Sequence, residues 1–181
     1  MNAATVDGVP VTVEDIDARE AQLRASRLAA SLPRPGTSEG RQLRRWLTQL
    51  LVTERVVAAE ASALGVTADS APPEDDLLPD TVTRMEIGSI AASVLADPLA
   101  RAVFAHVTAD VDVGGDEVAS YQKRNPLRFK DADAVSSHLR AVARRRAFRL
   151  WLDARCAAVV VLAPGYEHPG DPRQPDNTHR H

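Results

Sequence analysis

The chain has 181 residues, of which 44% are apolar but only 4% aromatic, and it carries a formal net charge of −3. This length fits one domain with appendages, and an aromatic-poor core must be aliphatic, which suits helices. The slightly acidic balance argues against a general nucleic-acid binder, which would carry a basic excess. Cys156 is the single cysteine, so an internal disulfide and a multi-cysteine zinc site are excluded.

The sequence shows no sign of export or of membrane insertion. Its N-terminal residues lack the charged-then-apolar pattern of a signal peptide. No apolar run approaches the ~20 residues that a membrane-spanning helix needs. We therefore expect a soluble, cytoplasmic protein without a membrane partner.

The N-terminal segment predicts a strand or hairpin followed by a helix. Residues 4–12 read "ATVDGVPVT", in which apolar and polar residues alternate around an Asp7-Gly8 turn signal. Thr12, with Asp15 three residues later, forms a capping-box pattern that starts a helix. Three apolar residues mark one side of that helix: Ile16, Leu23 and Leu28. Residues 31–40, with two Pro and two Gly, predict a loop.

The clearest predicted helix runs from Gly40 to the stop at Gly65. Glu54 falls on its apolar stripe, and because unpaired buried carboxylates are rare, we expect an arginine to pair with it. The stripe itself recurs at steps of three and four residues and consists of Leu43, Leu47, Leu50, Val57, Ala61 and Leu64.

The middle of the chain predicts an acidic loop and two further helices. Residues 65–80 contain "ADSAPPEDDLLPD", a solvated charge run or, as the alternative, a recognition patch for a basic partner. A helix is predicted over about 81–95, with Met85, Ile90 and Val94 inward. Asp97-Pro98 then starts another helix as an N-cap followed by Pro.

The last third predicts a short helix, a long helix and a closing strand. The short helix lies within "DEVASYQKRNPLRF" and ends before Pro126. The long helix begins near Asp133 and runs into "VVVL", a β-branched run typical of a strand. Its arginines indicate a solvated face whose stems cover apolar neighbours, or alternatively a contact with phosphate or an acidic protein; they are Arg140, Arg144, Arg145, Arg146 and Arg149.

The order of these segments resembles the SurA/PrsA-type peptidyl-prolyl isomerase chaperones. "VDGVPVTVEDIDARE" is similar to the opening strand, turn and helix of that family. "RRWLTQLLVTERVVAAEASALGV" resembles its second helix, and "VARRRAFRLWLDARCAAVVVL" its final helix and strand. A further phrase of the form Glu-Val-x-x-Tyr-Tyr followed by Asn-Pro-x-x-Phe is carried here by Glu117, Val118, Tyr121, Asn125, Pro126 and Phe129.

The resemblance implies a fold but not the family's catalysis. Full-length members typically insert a parvulin isomerase domain after the Asn-Pro-x-x-Phe phrase, whereas here "KDADAVSSHLR" follows Phe129 almost at once. The implied fold is a mainly α, SurA-like helical chaperone domain of five or six helices. A small two-stranded sheet pairs its N-terminal and C-terminal strands.

The sequence contains no recognisable catalytic motif, so we expect a non-catalytic protein. It has neither a Gly-rich phosphate loop nor a Gly-x-Ser-x-Gly elbow. We interpret Cys156 as a buried structural thiol. His106 and His138 are interpreted as ordinary surface or edge residues.

The C-terminal segment 164–181, "PGYEHPGDPRQPDNTHRH", cannot contribute to a core, and three interpretations stay open: disorder, docking to a partner, and metal binding. Imidazole and carboxylate groups suit zinc, iron, nickel or copper, although no cofactor is certain. The candidate metal ligands are His168, Asp176, His179 and His181. The candidate partner-binding residues are Tyr166, His168, Asp171, Arg173, Asp176, Asn177 and Arg180.

These observations predict a SurA-like helical domain over residues 1–163, with the acidic loop at 65–80, and an extended tail over 164–181. The expected function is that of a non-catalytic chaperone or assembly factor. It would bind a protein partner or client peptide through a helical groove and the tail. The alternative is a small accessory subunit of an enzyme complex whose tail binds a transition metal or completes an active site. A homodimer is left open.

Overall fold

A computed structural model describes residues 1–173, and these are mainly helical with one small antiparallel sheet, as the sequence predicts. The described chain forms two compact units. The first, here the strand unit, comprises Met1–Ala59 and the described residues from Arg155 onward; the second, the helical unit, comprises Glu60–Ala154. In chain order the elements are β1 (Asn2–Val6), β2 (Val9–Thr12), α1 (Val13–Arg24), α2 (Ser38–Leu64), α3 (Glu74–Leu77), α4 (Thr81–Ile87), α5 (Ser89–Val94), α6 (Pro98–Val107), α7 (Gly115–Arg124), α8 (Ala132–Val159) and β3 (Val160–Leu162).

The sheet of the strand unit has the order β2-β1-β3, with both neighbours antiparallel to β1. Asp7 and Gly8 join β1 to β2 with φ values of 47° and 77°. A two-residue hairpin turn of this hand needs positive φ at both positions, and the Asp-Gly pair adopts it readily. Val6 pairs with Val9 of β2 and with Val160 of β3. The predicted pairing of N-terminal and C-terminal strands is therefore confirmed, and the second arm of the hairpin adds a third strand.

The predicted capping box starts α1. The backbone N–H of Asp15 donates to Thr12 Oγ1 at 3.2 Å, and the N–H of Thr12 donates to Asp15 Oδ2 at 2.8 Å. The helix ends at Arg24, so Leu28 lies beyond it and is exposed. Its prediction as part of the apolar side is wrong, because Ser26 ends the helix by donating its hydroxyl to the carbonyl of Leu23.

The core of the strand unit is aliphatic. The side of α2 that faces it is wider than the predicted stripe, since Leu51, Val52 and Val56 are buried in addition to Leu47. The two ends of the stripe are less buried: Leu43 only packs against the core, and Leu64 is exposed. The buried cluster consists of Ala3, Ala4, Val6, Val11, Ile16, Leu47, Leu51, Val52 and Val56.

In the helical unit, the predicted helix over 81–95 is divided into α4 and α5. Gly88 separates them at φ 94° and ψ 151°, a conformation that is essentially restricted to glycine. The inward prediction for Met85 is wrong, since its side chain is 76% exposed. The buried residues of α4 are Thr83 and Ile87. Because the helix is interrupted at Gly88, the inward positions of α5 do not predict which residues of α4 face inward.

The remaining helical unit follows the predicted boundaries closely. Asp97 caps α6 by accepting a hydrogen bond from the N–H of Leu99 at 2.9 Å, as predicted. Phe104 of α6 packs against Phe148 of α8 with ring centroids 5.0 Å apart. The predicted acidic loop contains the single turn α3, and Leu78 after it is fully buried. Among the described helices, none combines the length and the apolar character required to cross a membrane.

Candidate functional site

The helical unit contains a cleft of about 350 Å³ between the segment 72–77, α6 and α8. Part of its lining is apolar and comes from all three elements. The remaining lining is polar and is dominated by arginine. The apolar residues are Pro72, Leu77, Phe104, Ala105 and Ala141, and the polar residues are Asp76, Thr108, Ser137, Arg140, Arg144 and Arg145.

Helical spacing on α8 brings the three arginines to one site. Arg140 and Arg144 are separated by four residues and therefore lie one turn apart on the same face. Arg145 lines both this cleft and a neighbouring hollow of about 210 Å³ in the same unit, whereas Arg146 lines only the hollow. The favoured interpretation of this run as a solvated face is wrong for Arg145, whose residue exposure is only 8%.

Arg144 and Arg145 donate hydrogen bonds to backbone carbonyls, whereas Arg140 donates to a carboxylate. Arg145 Nη1 donates to the carbonyl of Leu77 at 3.3 Å, and Arg144 Nη2 donates to that of Ala109 at 3.5 Å. Arg140 Nε donates to Asp112 Oδ1 at 2.9 Å. The pKa of Asp112 is lowered by the backbone N–H of Val113 and then by Arg140. Arg140 is therefore neutralised within the molecule, whereas neither Arg144 nor Arg145 forms an ion pair with a described residue.

The charge balance of the cleft favours anions. Asp76 is the carboxylate in the lining, and because Arg140 is paired with Asp112, the guanidinium groups of Arg144 and Arg145 outnumber it. A guanidinium offers a planar fork of donors that matches carboxylate and phosphate oxygens. Chemically, the cleft can hold an anionic group beside an apolar one.

The Asn-Pro-x-x-Phe phrase lies at a separate aromatic cluster in the helical unit. The ring of His138 lies 4.9 Å from Phe129 and 5.8 Å from Tyr121. Arg128 lies over both aromatic rings and donates to the Tyr121 hydroxyl at 2.7 Å. Burial lowers the pKa of His138, and the positive charge of Arg128 adds to the effect. His138 is thus packed in an aromatic cluster, whereas His106 is exposed as predicted.

The first residues of the predicted tail pack on the strand unit. Tyr166 packs partly buried against its aliphatic core, so the expectation that segment 164–181 cannot contribute to a core is wrong at this residue. Arg45 Nε donates to the carbonyl of Gly165 at 3.0 Å, and Gln49 Nε2 donates to that of Tyr166 at 3.4 Å. Cys156 also packs partly buried against this core, which fits the predicted structural thiol.

Three further tail candidates are described, and local hydrogen bonds engage each of them. His168 Nδ1 accepts a hydrogen bond from the N–H of Gly170 at 2.9 Å, so only its Nε2 is available to a metal. The Arg173 guanidinium donates to Asp171 Oδ2 at 2.7 Å. This interaction, with the N–H of Arg173, lowers the pKa of Asp171 to about 2.

The other tail candidates, Asp176, Asn177, His179, Arg180 and His181, lie outside the described residues. Within residues 1–173, no group of three or more His, Cys, Asp or Glu side chains could hold a metal ion. The metal hypothesis therefore stays a prediction, with His168 as its single described ligand.

The sequence indicates the arginines of this site but not the cleft. Arg140, Arg144 and Arg145 belong to the run for which contact with phosphate or an acidic protein is the alternative interpretation. No pattern in the sequence could show that Leu77 and Phe104, from distant segments, complete this surface.

Comparison with known proteins assigns no activity to this site. A family model described as "Family of unknown function (DUF7158)" matches residues 2–39, which include β1, β2 and α1. No curated protein and no solved structure matches the chain. The match covers only the N-terminal part of the strand unit and does not extend to the cleft.

Proposed function

We propose that this chain is a non-catalytic, SurA-like chaperone or assembly factor that binds a segment of another protein in the cleft of its helical unit. The observation that carries the proposal is the cleft itself, which combines an apolar lining with arginine donors. Its volume of about 350 Å³ is sufficient for one or two side chains of a bound segment. The tail, which continues from the packed residue Tyr166, is proposed as a second contact.

Exposed apolar side chains on the helical unit also support a protein-binding role. Leu127 is 98% exposed, and Val82, Leu150 and Met85 are largely exposed as well. Single exposed apolar residues are ordinary, but Val82 and Met85 lie three residues apart on α4 and share a face, and adjoining exposed apolar side chains favour contact with a protein partner.

A cleft-filling substitution tests this proposal. Ala105 lines the cleft, so Ala105→Trp should fill it and weaken binding of an unfolded client, such as reduced carboxymethylated lactalbumin, at least about tenfold. Ala119→Trp, on the exposed surface of α7 and away from the cleft, is the matched control and should leave binding unchanged. Fluorescence anisotropy with the labelled client measures both. Equal binding by the two variants, or no binding by the natural chain, contradicts the proposal.

The contribution of the tail needs a separate experiment. A chain that ends at Glu167 retains Gly165 and Tyr166, whose contacts hold the start of the tail on the strand unit. We expect partners recovered from the native cell with the full chain to be lost or reduced with this shortened chain. An identical partner profile would show that residues 168–181 do not contribute to binding.

A further inference from the structure

We infer that the occupant of the cleft is an acidic protein segment, with one carboxylate held by Arg144 and Arg145 and a neighbouring apolar side chain held against Leu77 and Phe104. This inference rests on the proposed function and specifies that the bound segment contains an acidic residue next to an apolar one.

The main reason for this inference is that Arg145 is buried and forms no ion pair with a described residue. Its residue exposure is 8%, and its guanidinium donates to a single described acceptor, the carbonyl of Leu77 at 3.3 Å. A buried guanidinium is normally paired with a carboxylate, because an uncompensated charge in the interior is costly. No described residue forms an ion pair with Arg145, and the residue lines the cleft. Apart from the carbonyl of Leu77, its guanidinium has no described acceptor, so it can pair with an anion at the cleft, although the residue also lines the neighbouring hollow.

Arg144 supplies a second, independent observation. Its Nε atom is buried and, among the described residues, has no hydrogen-bond partner. Its Nη2 reaches the carbonyl of Ala109 only at 3.5 Å, the outer limit of a hydrogen bond. A buried donor without an acceptor is destabilising, and a carboxylate at this position would satisfy it.

The acidic groups nearby do not fulfil this role. Asp112 is held by Arg140 at 2.9 Å. Asp80 is near enough to Arg145 for their charges to interact, but it forms no ion pair with it and accepts the N–H of Thr83 at 2.8 Å as the N-cap of α4. Asp76 lines the cleft but forms no ion pair with a described residue. Glu86 lines the neighbouring hollow with Arg145 and forms no ion pair with a described residue. A carboxylate in direct contact with Arg145 would therefore come from another molecule.

The lining distinguishes a peptide carboxylate from a phosphate. Asp76 repels a doubly charged phosphate more strongly than a singly charged carboxylate. The apolar residues of the lining would have no partner in a free phosphate, whereas an acidic residue beside a bulky apolar one uses both parts of the cleft.

Two matched peptides test the inference. Both are fluorescein-labelled and contain the repeat Leu-Glu-Leu or its neutral counterpart Leu-Gln-Leu, and anisotropy gives the Kd of each for the full chain. We expect the Glu peptide to bind about tenfold more tightly than the Gln peptide, because a charge-assisted hydrogen bond to arginine is lost in the neutral one. Equal binding of both peptides overturns the inference while the proposed function stands. Binding of neither peptide contradicts the proposed function itself.

Two arginine variants test whether the preference for the Glu peptide arises in the cleft. Arg144→Gln should reduce the preference for the Glu peptide to within about twofold, whereas Arg146→Gln removes the same charge outside the cleft and should preserve it. If the two variants lose the preference equally, general electrostatic attraction accounts for it and the inference is wrong. Displacement of the Glu peptide by millimolar inorganic phosphate would show a simple anion site and would likewise overturn it.

Discussion

Arginine is the residue that organises this protein at the scale of single side chains. In the helical unit, arginines bind the backbone carbonyls at which loops and helices end. Arg101 donates to the carbonyls of Pro72 and Ala96 at 2.9 and 2.8 Å, and Arg149 donates to that of Ile87. The long stem of arginine and its five N–H donors allow one side chain to reach carbonyls of more than one segment.

In the strand unit, arginine also forms ion pairs with buried or half-buried carboxylates. Arg19 forms two parallel hydrogen bonds with Glu54, at 2.9 and 2.7 Å, so the predicted pairing of Glu54 with an arginine is confirmed. The pKa of Arg19 is raised chiefly by this hydrogen-bonded partner. The pair joins α1 to α2 and keeps a carboxylate on an apolar stripe from remaining unpaired.

A second carboxylate, Glu20, should make stability depend on pH. Burial raises its pKa, but hydrogen bonds from Arg24 at 2.6 Å and Arg44 at 2.8 Å outweigh burial, and the pKa lies below the ordinary value of 4.5. A lowered folded-state pKa stabilises the protein above the unfolded value, and this stabilisation is lost as the pH falls through the folded value. We expect the free energy of unfolding to decrease below about pH 4.5.

The variant Glu20→Gln tests this expectation by urea unfolding followed by circular dichroism. At neutral pH it should lose about 1–3 kcal/mol, and its stability should fall less steeply at acidic pH than that of the natural chain. Asp75→Asn, which removes an exposed carboxylate, is the control and should change neither quantity. Parallel pH profiles for the natural chain and Glu20→Gln would contradict the assignment.

At the scale of the secondary-structure elements, the start of α1 depends on the capping box. Replacing Thr12 by alanine removes the acceptor for the N–H of Asp15, so Thr12→Ala should lower the free energy of unfolding by about 1 kcal/mol. Thr67 is the matched control, because it precedes a short 3-10 turn without forming a side-chain cap. Thermal unfolding compares the two, and an equal effect of both substitutions would exclude a specific role for the cap.

The break between α4 and α5 depends on Gly88. A Cβ added there would lie 2.4 Å from Arg149 Nη1, and the φ of 94° is strained for any other residue. Gly88→Ala should therefore destabilise the protein by about 1–3 kcal/mol. Gly115 begins α7, and a Cβ there meets nothing within 4 Å. Gly115→Ala should be neutral or stabilising by up to about 1 kcal/mol, and a loss similar to that of Gly88→Ala would count against the steric explanation.

Local chemistry explains which elements could be predicted. The Asp7-Gly8 turn, the Thr12 cap and the Gly65 stop are each specified by residues close in sequence, and each is present as predicted. Which residues of segment 81–95 face inward could not be predicted correctly throughout. The helix breaks at Gly88, which adopts φ 94° and ψ 151°, and the continuous helical spacing of apolar residues across this position does not indicate the break.

For the whole molecule, the boundary between domain and tail has consequences for stability. A chain that ends at Ala163 loses the packing of Tyr166 and the hydrogen bond from Arg45 to Gly165, so it should be about 2–4 kcal/mol less stable than the full chain. A chain that ends at Glu167 retains these contacts and should remain within about 0.5 kcal/mol of the full chain. Chemical unfolding of the three chains decides the matter, and equal stability of the two shortened chains would mean that Tyr166 contributes no stabilising contact.

The sequence by itself determined the mainly helical class, the hairpin, the caps and the return of a C-terminal strand to the N-terminal one. These features follow from apolar periodicity, turn residues and the need of a strand for a hydrogen-bonding neighbour, all of which act over short stretches of chain. Only the tertiary structure decided that Arg145 is buried and that it shares a cleft with Leu77 and Phe104. The burial of Arg145 and its lack of an ion pair depend on which distant segments pack together. Local patterns in the sequence do not show which segments those are.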